Sequence, residues 1–178
     1  MNISDLLLDK SNLNAITEFA NNFDVDEAQA KDAISSLADS LSRGLGANTG
    51  DIKGLDSLMN ALEKGNHSRY LDEPSILGRR ETVQDGNDIL GHIFGNKDVS
   101  RHVANDTSKK TGLSSGLLKK MLPVVATMVM GSLGKKVLQG GASSRQQSGG
   151  LISQLLDRDK DGSMVDDVLG MAFKALIS

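Results

Sequence analysis

The chain has no cysteine and no tryptophan, only one tyrosine, four phenylalanines and two prolines. Without cysteine, neither a disulfide nor a thiolate zinc site can form. Such a chain suits a reducing, cytoplasmic setting. With so few aromatics the core has to come from Leu, Ile, Val, Met and Ala, which favour helices over sheets. No basic segment followed by an apolar stretch opens the chain: Met1 is followed by Asn-Ile-Ser-Asp. No apolar run reaches the ~20 residues needed to cross a bilayer. The most apolar segment, Met121 to Leu133, is bracketed by Lys119, Lys120, Lys135 and Lys136. It reads as a buried core helix, and no transmembrane segment is expected.

Catalytic motifs are missing as well. The sequence holds no GxSxG, no P-loop, no GxGxxG and no HExxH. The three histidines, His67, His92 and His102, include no pair at helical i, i+4 spacing, so zinc is not expected. His92 lies between apolar neighbours and reads as a buried structural histidine, while His102 reads as exposed. No acid, base and nucleophile set is in view, so the chain is expected not to be an enzyme, and no small-molecule substrate is identified.

What is present is helical periodicity. Leu13, Ile16, Ala20 and Phe23 form one stripe. Ala30, Ala33, Ile34, Leu37, Leu41 and Leu45 form a second, opened by Asp26 with Gln29 three residues on, the pattern of a capping box. Leu55, Leu58, Met59 and Leu62 form a third, ending at Gly65; Ile89, Leu90, Ile93 and Phe94 a short fourth between glycines. Val99, Val103 and Ala104 open a fifth that stops at Gly112, and Ser114 then caps a long apolar helix interrupted by Pro123. Nineteen glycines in 178 residues break the chain into many short helices. Residues 66–84 read as irregular. There His67, Arg69, Tyr70, Asp72 and Glu73 are expected to form a polar surface cluster, with Arg69 paired to Asp72.

Charge is unevenly placed. Residues 1–63 carry 11 acids and 4 bases, residues 97–138 carry 8 bases and 2 acids. Either these are two solvated faces, or the two halves attract. An offset of 88 lays residues 20–45 over 108–133, matching Lys31 to Lys119, Ala38 to Ala126 and Leu45 to Leu133. That match fits an internal duplication, or the likeness any two amphipathic helices share. The composition predicts three parts: a helical body over 1–138, a flexible Gly/Ser/Gln linker over 139–150, and a helix–loop–helix tail over 151–178.

The tail carries the most specific site signal. In DRDKDGSMVDD, Asp157, Asp159 and Asp161 alternate ahead of Gly162, as in the opening of a calcium loop. Calcium takes six to eight oxygens, so three alternating carboxylates converge on one ion if the chain turns sharply. Ser163 would add its backbone carbonyl, and Asp166 or Asp167 would close a shortened loop. The usual closing glutamate falls on Val168, which cannot ligate. The other reading is an acidic helix N-terminus, favoured by the helix dipole.

Several separated stretches resemble the YidB-like family of bacterial proteins: MNISDLLL, HSRYLDEPS, GNDILGHIFGNKDVSRHVA and TGLSSGLLKKMLPVVATMVMGSLGKK. The resemblance covers most of residues 1–138. It implies an all-helical fold with a repeated helical unit and a bacterial source; it implies no activity, because the family is functionally uncharacterised.

Taken together, the fold class is all-α: a multihelical array of short helices with an internal duplication, plus a small C-terminal helix–loop–helix unit. The expected function is a non-enzymatic interaction or scaffold protein, made calcium-responsive by its C-terminal loop. Its partner would be another protein or a second copy of itself. The alternative is nucleic-acid association through the helix–turn–helix-like segment 97–138, with Lys109, Lys110, Lys119 and Lys120 on phosphates. That segment offers few groups able to read base edges, which weighs against it.

Overall fold

The computed structural model describes residues 2–139 and 145–156. All regular structure among them is helical. The helices are α1 (Ile3–Leu7), α2 (Leu13–Phe23), α3 (Glu27–Asn48), α4 (Ile52–Gly65), α5 (Arg69–Asp72), α6 (Arg80–Phe94), α7 (Lys97–Thr111), α8 (Ser115–Leu138) and α9 (Arg145–Leu156). Short 3-10 turns at Lys10–Asn12 and Pro74–Ile76 link some of them.

Helix α8 is the hub. It packs against α6, α7, α3, α1, α5, α4 and α9. Its sequence explains this: from Met121 to Gly134 every residue is buried. A helix apolar all round has to be covered all round. Each fully buried Val, Leu or Met contributes about 1.5–3 kcal/mol, so this one helix anchors much of the core. It is also the one helix among the described residues long and apolar enough to cross a membrane, and most of that stretch is inside the fold. Pro123 sits within it without ending it. The proline lacks an N–H, so the carbonyl of Lys119 loses its helical donor, on a residue exposed to solvent.

Close helix crossings are set by glycine. Helix α6 crosses α8 where Gly86 meets Pro123; a Cβ at Gly86 would stand 2.0 Å from the Pro123 carbonyl oxygen. Helix α3 meets α6 at Gly44, where a Cβ would come within 2.6 Å of the Phe94 ring. Gly44 and Gly46 therefore do not end their helix as glycines often do. The helix runs on to Asn48, and the glycines serve its packing.

The chain signals for helix ends are realised in part. Asp26 and Gln29 form the capping box of α3, and the Ser114 hydroxyl accepts from the Leu117 N–H at the start of α8. Gly112 closes α7 with φ 75°. The two long helices also share their punctuation. Helix α3 starts at Glu27 and α8 at Ser115, α2 ends at Phe23 and α7 at Thr111, and the left-handed residues that follow are Asp24 and Gly112. Every one of these pairs is separated by the same 88 positions as the sequence match. The two halves meet through α3 against α7 and α8. Ala30, Ile34 and Leu37 of α3, Val103 of α7, and Leu118 and Leu122 of α8 are all buried.

Two stretches differ from the sequence reading. Helix α6 begins at Arg80, well inside the segment expected to be irregular. Its first turns are polar and carry Gly86, so periodicity alone does not reveal them; the crossing at Pro123 holds them. Helix α9 begins at Arg145 and so takes in residues 145–150 of the stretch read as a linker. Ile152, Leu155 and Leu156 are buried against the body, and a Cβ at Gly149 would lie 3.0 Å from Leu55.

Candidate functional site

A concavity with a volume of about 790 Å³ lies between α4 and α6. At one end Asn48, just ahead of α4, reaches the end of α6. Its side-chain amide donates to the carbonyls of His92 (3.1 Å) and Ile93 (2.5 Å), satisfying end groups of α6 that lack helical partners. At the other end α4 closes at Asn66, in the left-handed conformation, and the chain turns through His67 toward α5.

The floor is apolar. Leu45 from α3, Leu58 from α4, Ile89 and Ile93 from α6, and Met130 from α8 line it. The rim is polar, with Asn48, Thr49 and Ser57 toward one end, and Lys64, His67, Asp85 and Asp88 toward the other. An apolar base with a few polar groups at the edge is the usual composition of a binding cleft, and the volume falls in the usual range of a few hundred to about 1,000 Å³.

One end of the cleft is built around a polar knot. Tyr70, almost wholly buried, donates its hydroxyl to the Asp85 carboxylate. Arg69 donates to the Tyr70 oxygen at 2.9 Å and to Asp85 at 3.0 Å, and its guanidinium lies 4.9 Å from the centre of the Tyr70 ring. Burial, reinforced by the hydrogen bond to Asp85, holds the Tyr70 phenol above its ordinary ionisation range. The expected Arg69–Asp72 pair is therefore not formed as read. Asp72 pairs instead with Lys135 of α8, because α5 is one turn long and points Arg69 across to α6.

His67 stacks on Tyr70, with ring centres 6.3 Å apart. Its imidazole is drawn below its ordinary value chiefly by burial, opposed by the Asp85 carboxylate and aided by Arg69. Its Nδ1 is buried without a hydrogen-bond partner. A Cβ on Gly131 of α8 would stand 2.7 Å from the His67 carbonyl oxygen, so this turn is pressed against the hub helix. His92 is exposed, not buried as expected. Ile89, Leu90, Ile93 and Phe94 face inward, and a residue at position 92 falls on the opposite side of the turn. His102 is exposed, as read.

Asp157, Asp159, Asp161, Ser163, Asp166 and Asp167, the candidate calcium ligands, lie outside the described residues, as does most of the helix–loop–helix tail. Among the described residues no group of three or more His, Asp or Glu side chains could hold a metal ion. Lys109, Lys110, Lys119 and Lys120 are exposed around the α7–α8 turn. The second helix of that pair is buried from Met121 to Gly134, while Gly116, Lys119 and Lys120 in its first turns are exposed.

Sequence reasoning missed the cleft altogether. Its floor draws on positions 45, 58, 89, 93 and 130, and only the folded chain brings these together. The one local hint was HSRYLD, whose aromatic and charged residues mark the end of the cleft.

These features define an all-helical protein organised about one buried helix, with an apolar-floored cleft between α4 and α6. The chain belongs to a family of bacterial proteins of unknown function (DUF937), whose profile matches residues 5–136. That span is consistent with the YidB-like resemblance and ends within α8, leaving α9 and the tail outside the match. No curated protein and no solved structure shows a significant match to the chain.

Proposed function

We propose that this chain is a non-enzymatic interaction protein that takes an amphipathic helix, apolar on one face and basic along its flank, into the cleft between α4 and α6. The observation that carries this reading is the cleft itself: about 790 Å³ floored by Leu45, Leu58, Ile89, Ile93 and Met130. A helix laid into such a groove anchors through side chains at i, i+3, i+4 and i+7. The α6 wall presents Asp88, which favours a basic group on the guest's flank. Tyr70, Arg69 and Asp85 are bound to one another, which suits a rigid wall better than proton transfer. The DxDxDG loop adds calcium as a candidate regulator of the tail, on the spacing of Asp157, Asp159 and Asp161.

The chain has no tryptophan, so a synthetic Lys/Leu helical peptide carrying one Trp reports binding by its own fluorescence. Saturable binding that weakens at least tenfold with Ala61→Arg is the expected result. Ala61 lines the cleft and is exposed, so that change blocks the groove without entering the core. A peptide that does not bind, or binds the Ala61→Arg protein equally well, overturns the reading. The nucleic-acid alternative rests on four exposed lysines with few base-reading groups beside them.

A further inference from the structure

We infer that His67 gates the cleft: the neutral imidazole walls off one end of it, and the protonated imidazole leaves that place for the rim and releases the guest helix. This rests on the reading that the cleft accepts a helix, and it assigns that site a proton as its regulator.

His67 lies in the turn between α4 and α5 and lines the cleft beside Lys64 and Asp85. Its neighbours hold it on three sides. A Cβ on Gly131 of α8 would stand 2.7 Å from its carbonyl oxygen, and a Cβ on Gly65 would stand 1.9 Å from its Nε2. The Tyr70 ring is stacked at 6.3 Å. Nδ1 is buried and has no hydrogen-bond partner among the described residues. A neutral imidazole carries one ring proton, so one nitrogen can stay bare. An imidazolium carries a proton on each, and Nδ1 would become a buried cationic donor without an acceptor. That is worse than an unfilled neutral nitrogen, and movement of the ring relieves it. With α8, Gly65 and Tyr70 on the other sides, the cleft is the open direction.

The charges at this end act in the same sense. Asp85 of α6 is held by Arg69 and by the Tyr70 hydroxyl, so it is a poor counter-ion for a ring that stays in place. Arg69 of α5 and Lys64 of α4 add positive charge, and one turn on from Arg69 the Asp72 carboxylate is taken by Lys135 of α8. Burial, the main cause of the lowered proton affinity of His67, agrees with a ring that is neutral where it sits. Asp88 stands exposed on the α6 rim. An imidazolium swung toward the rim competes for Asp88 with the basic group of the guest and repels that flank. Proton and guest then exclude one another, so each weakens the other by the same factor. Guest affinity is complete above the His67 pKa of the free protein. It falls as pH drops through that value, by at most about tenfold per pH unit for one proton.

The Lys/Leu helical peptide with one Trp, capped at both ends, has no group that titrates between about pH 5 and 7.5. Its Kd for the full chain is measured by fluorescence at those two values. Binding should be weaker at the lower pH by at least about threefold. In His67→Gln the ratio of the two Kd values should be close to one, whatever that variant's affinity at neutral pH. In His92→Gln, altered at the other end of the cleft, the ratio should match the parent's. Proton NMR of the unaltered chain supplies a second measurement, with His92→Gln and His102→Gln identifying the other two imidazoles. Saturating peptide should lower the His67 pKa further, as the reciprocal of the same coupling. A peptide bound equally well at both pH values overturns the gate and leaves the helix-accepting reading standing; a peptide bound at neither removes both. A pH ratio lost in His92→Gln, a His67 pKa unmoved by peptide, or a loss of far-UV helix signal parallel to the loss of binding overturns the gate as well.

Discussion

Gly86 and Gly91 lie five residues apart on α6, yet replacing each with alanine should move stability in opposite directions. In an exposed helix interior, alanine is better than glycine by about 0.8–1 kcal/mol, because the glycine backbone loses more freedom on folding. Gly91 is exposed, and a Cβ there meets nothing within 4 Å. Gly91→Ala should therefore stabilise by about 0.5–1 kcal/mol. At Gly86 the added methyl would lie 2.0 Å from the Pro123 carbonyl oxygen and 2.5 Å from its carbon. These are backbone atoms, so neither moves like a flexible side-chain tip. Helix α6 has to retreat from the hub by about an ångström, and a gap of that size forfeits a quarter to a half of each contact it opens. Overpacking of this kind costs about 1–3 kcal/mol, which exceeds the propensity gain. We expect Gly86→Ala to lose about 2 kcal/mol and to melt roughly 4–8 °C lower, at about 2–4 °C per kcal/mol for a domain of this size. Urea and thermal unfolding followed by far-UV circular dichroism would measure both variants. A Gly86→Ala protein as stable as the parent, or a Gly91→Ala protein equally damaged, would refute the packing argument.

Other expectations follow from the same structure. Because burial depresses the His67 pKa below its ordinary 6.5, the unfolded chain binds the proton first. The contribution of His67 to stability is then complete above 6.5 and lost as pH falls from there through the depressed value. Urea midpoints at neutral and mildly acid pH should show this loss in the parent and a smaller one in His67→Gln; identical slopes would contradict it. Asp26→Ala and Ser114→Ala, which remove equivalent caps from α3 and α8, should each cost about 1 kcal/mol. Chemical denaturation checks this, and no loss at either site would count against the cap geometry. Tyr70→Phe removes the buried hydroxyl that donates to Asp85 and should cost about 1–2 kcal/mol in the same assay, a neutral result being the contrary outcome. Calorimetric titration of the full chain should give calcium heat that disappears with Asp157→Ala; silence at millimolar calcium would remove the loop from consideration.

The parts of the fold that were legible in the sequence are those specified locally. Asp26 with Gln29, Ser114 and Gly112 each act through hydrogen bonds or dihedral angles within a few residues, and each does what its spacing implies. The apolar run of α8 was legible as core for the same reason. What escaped depends on distant partners. The first turns of α6 lack an apolar stripe and rest on one crossing at Gly86. Arg69 faces Asp85 and not Asp72, and that pairing is fixed by where α6 passes α5. His92 was misplaced because apolar neighbours in sequence were taken for neighbours in space. The cleft was invisible because no short segment supplies more than a strip of its floor. For the calcium ligands the position is reversed: their spacing is plain in the sequence, and they lie beyond the described residues.

The hub helix occupies residues 115–138, so a ribosome completes seven helices before it makes the one that most of them pack on. At roughly 5–20 residues per second, the earliest segments wait on the order of ten seconds for it. Helices α1, α2, α3, α6 and α7 have some native contacts with one another in that interval, but the apolar faces they turn to α8 stay uncovered. A nascent chain stalled before Ser115 should therefore be a good client for chaperones that grip exposed aliphatic side chains, and release of the next two dozen residues should let it go.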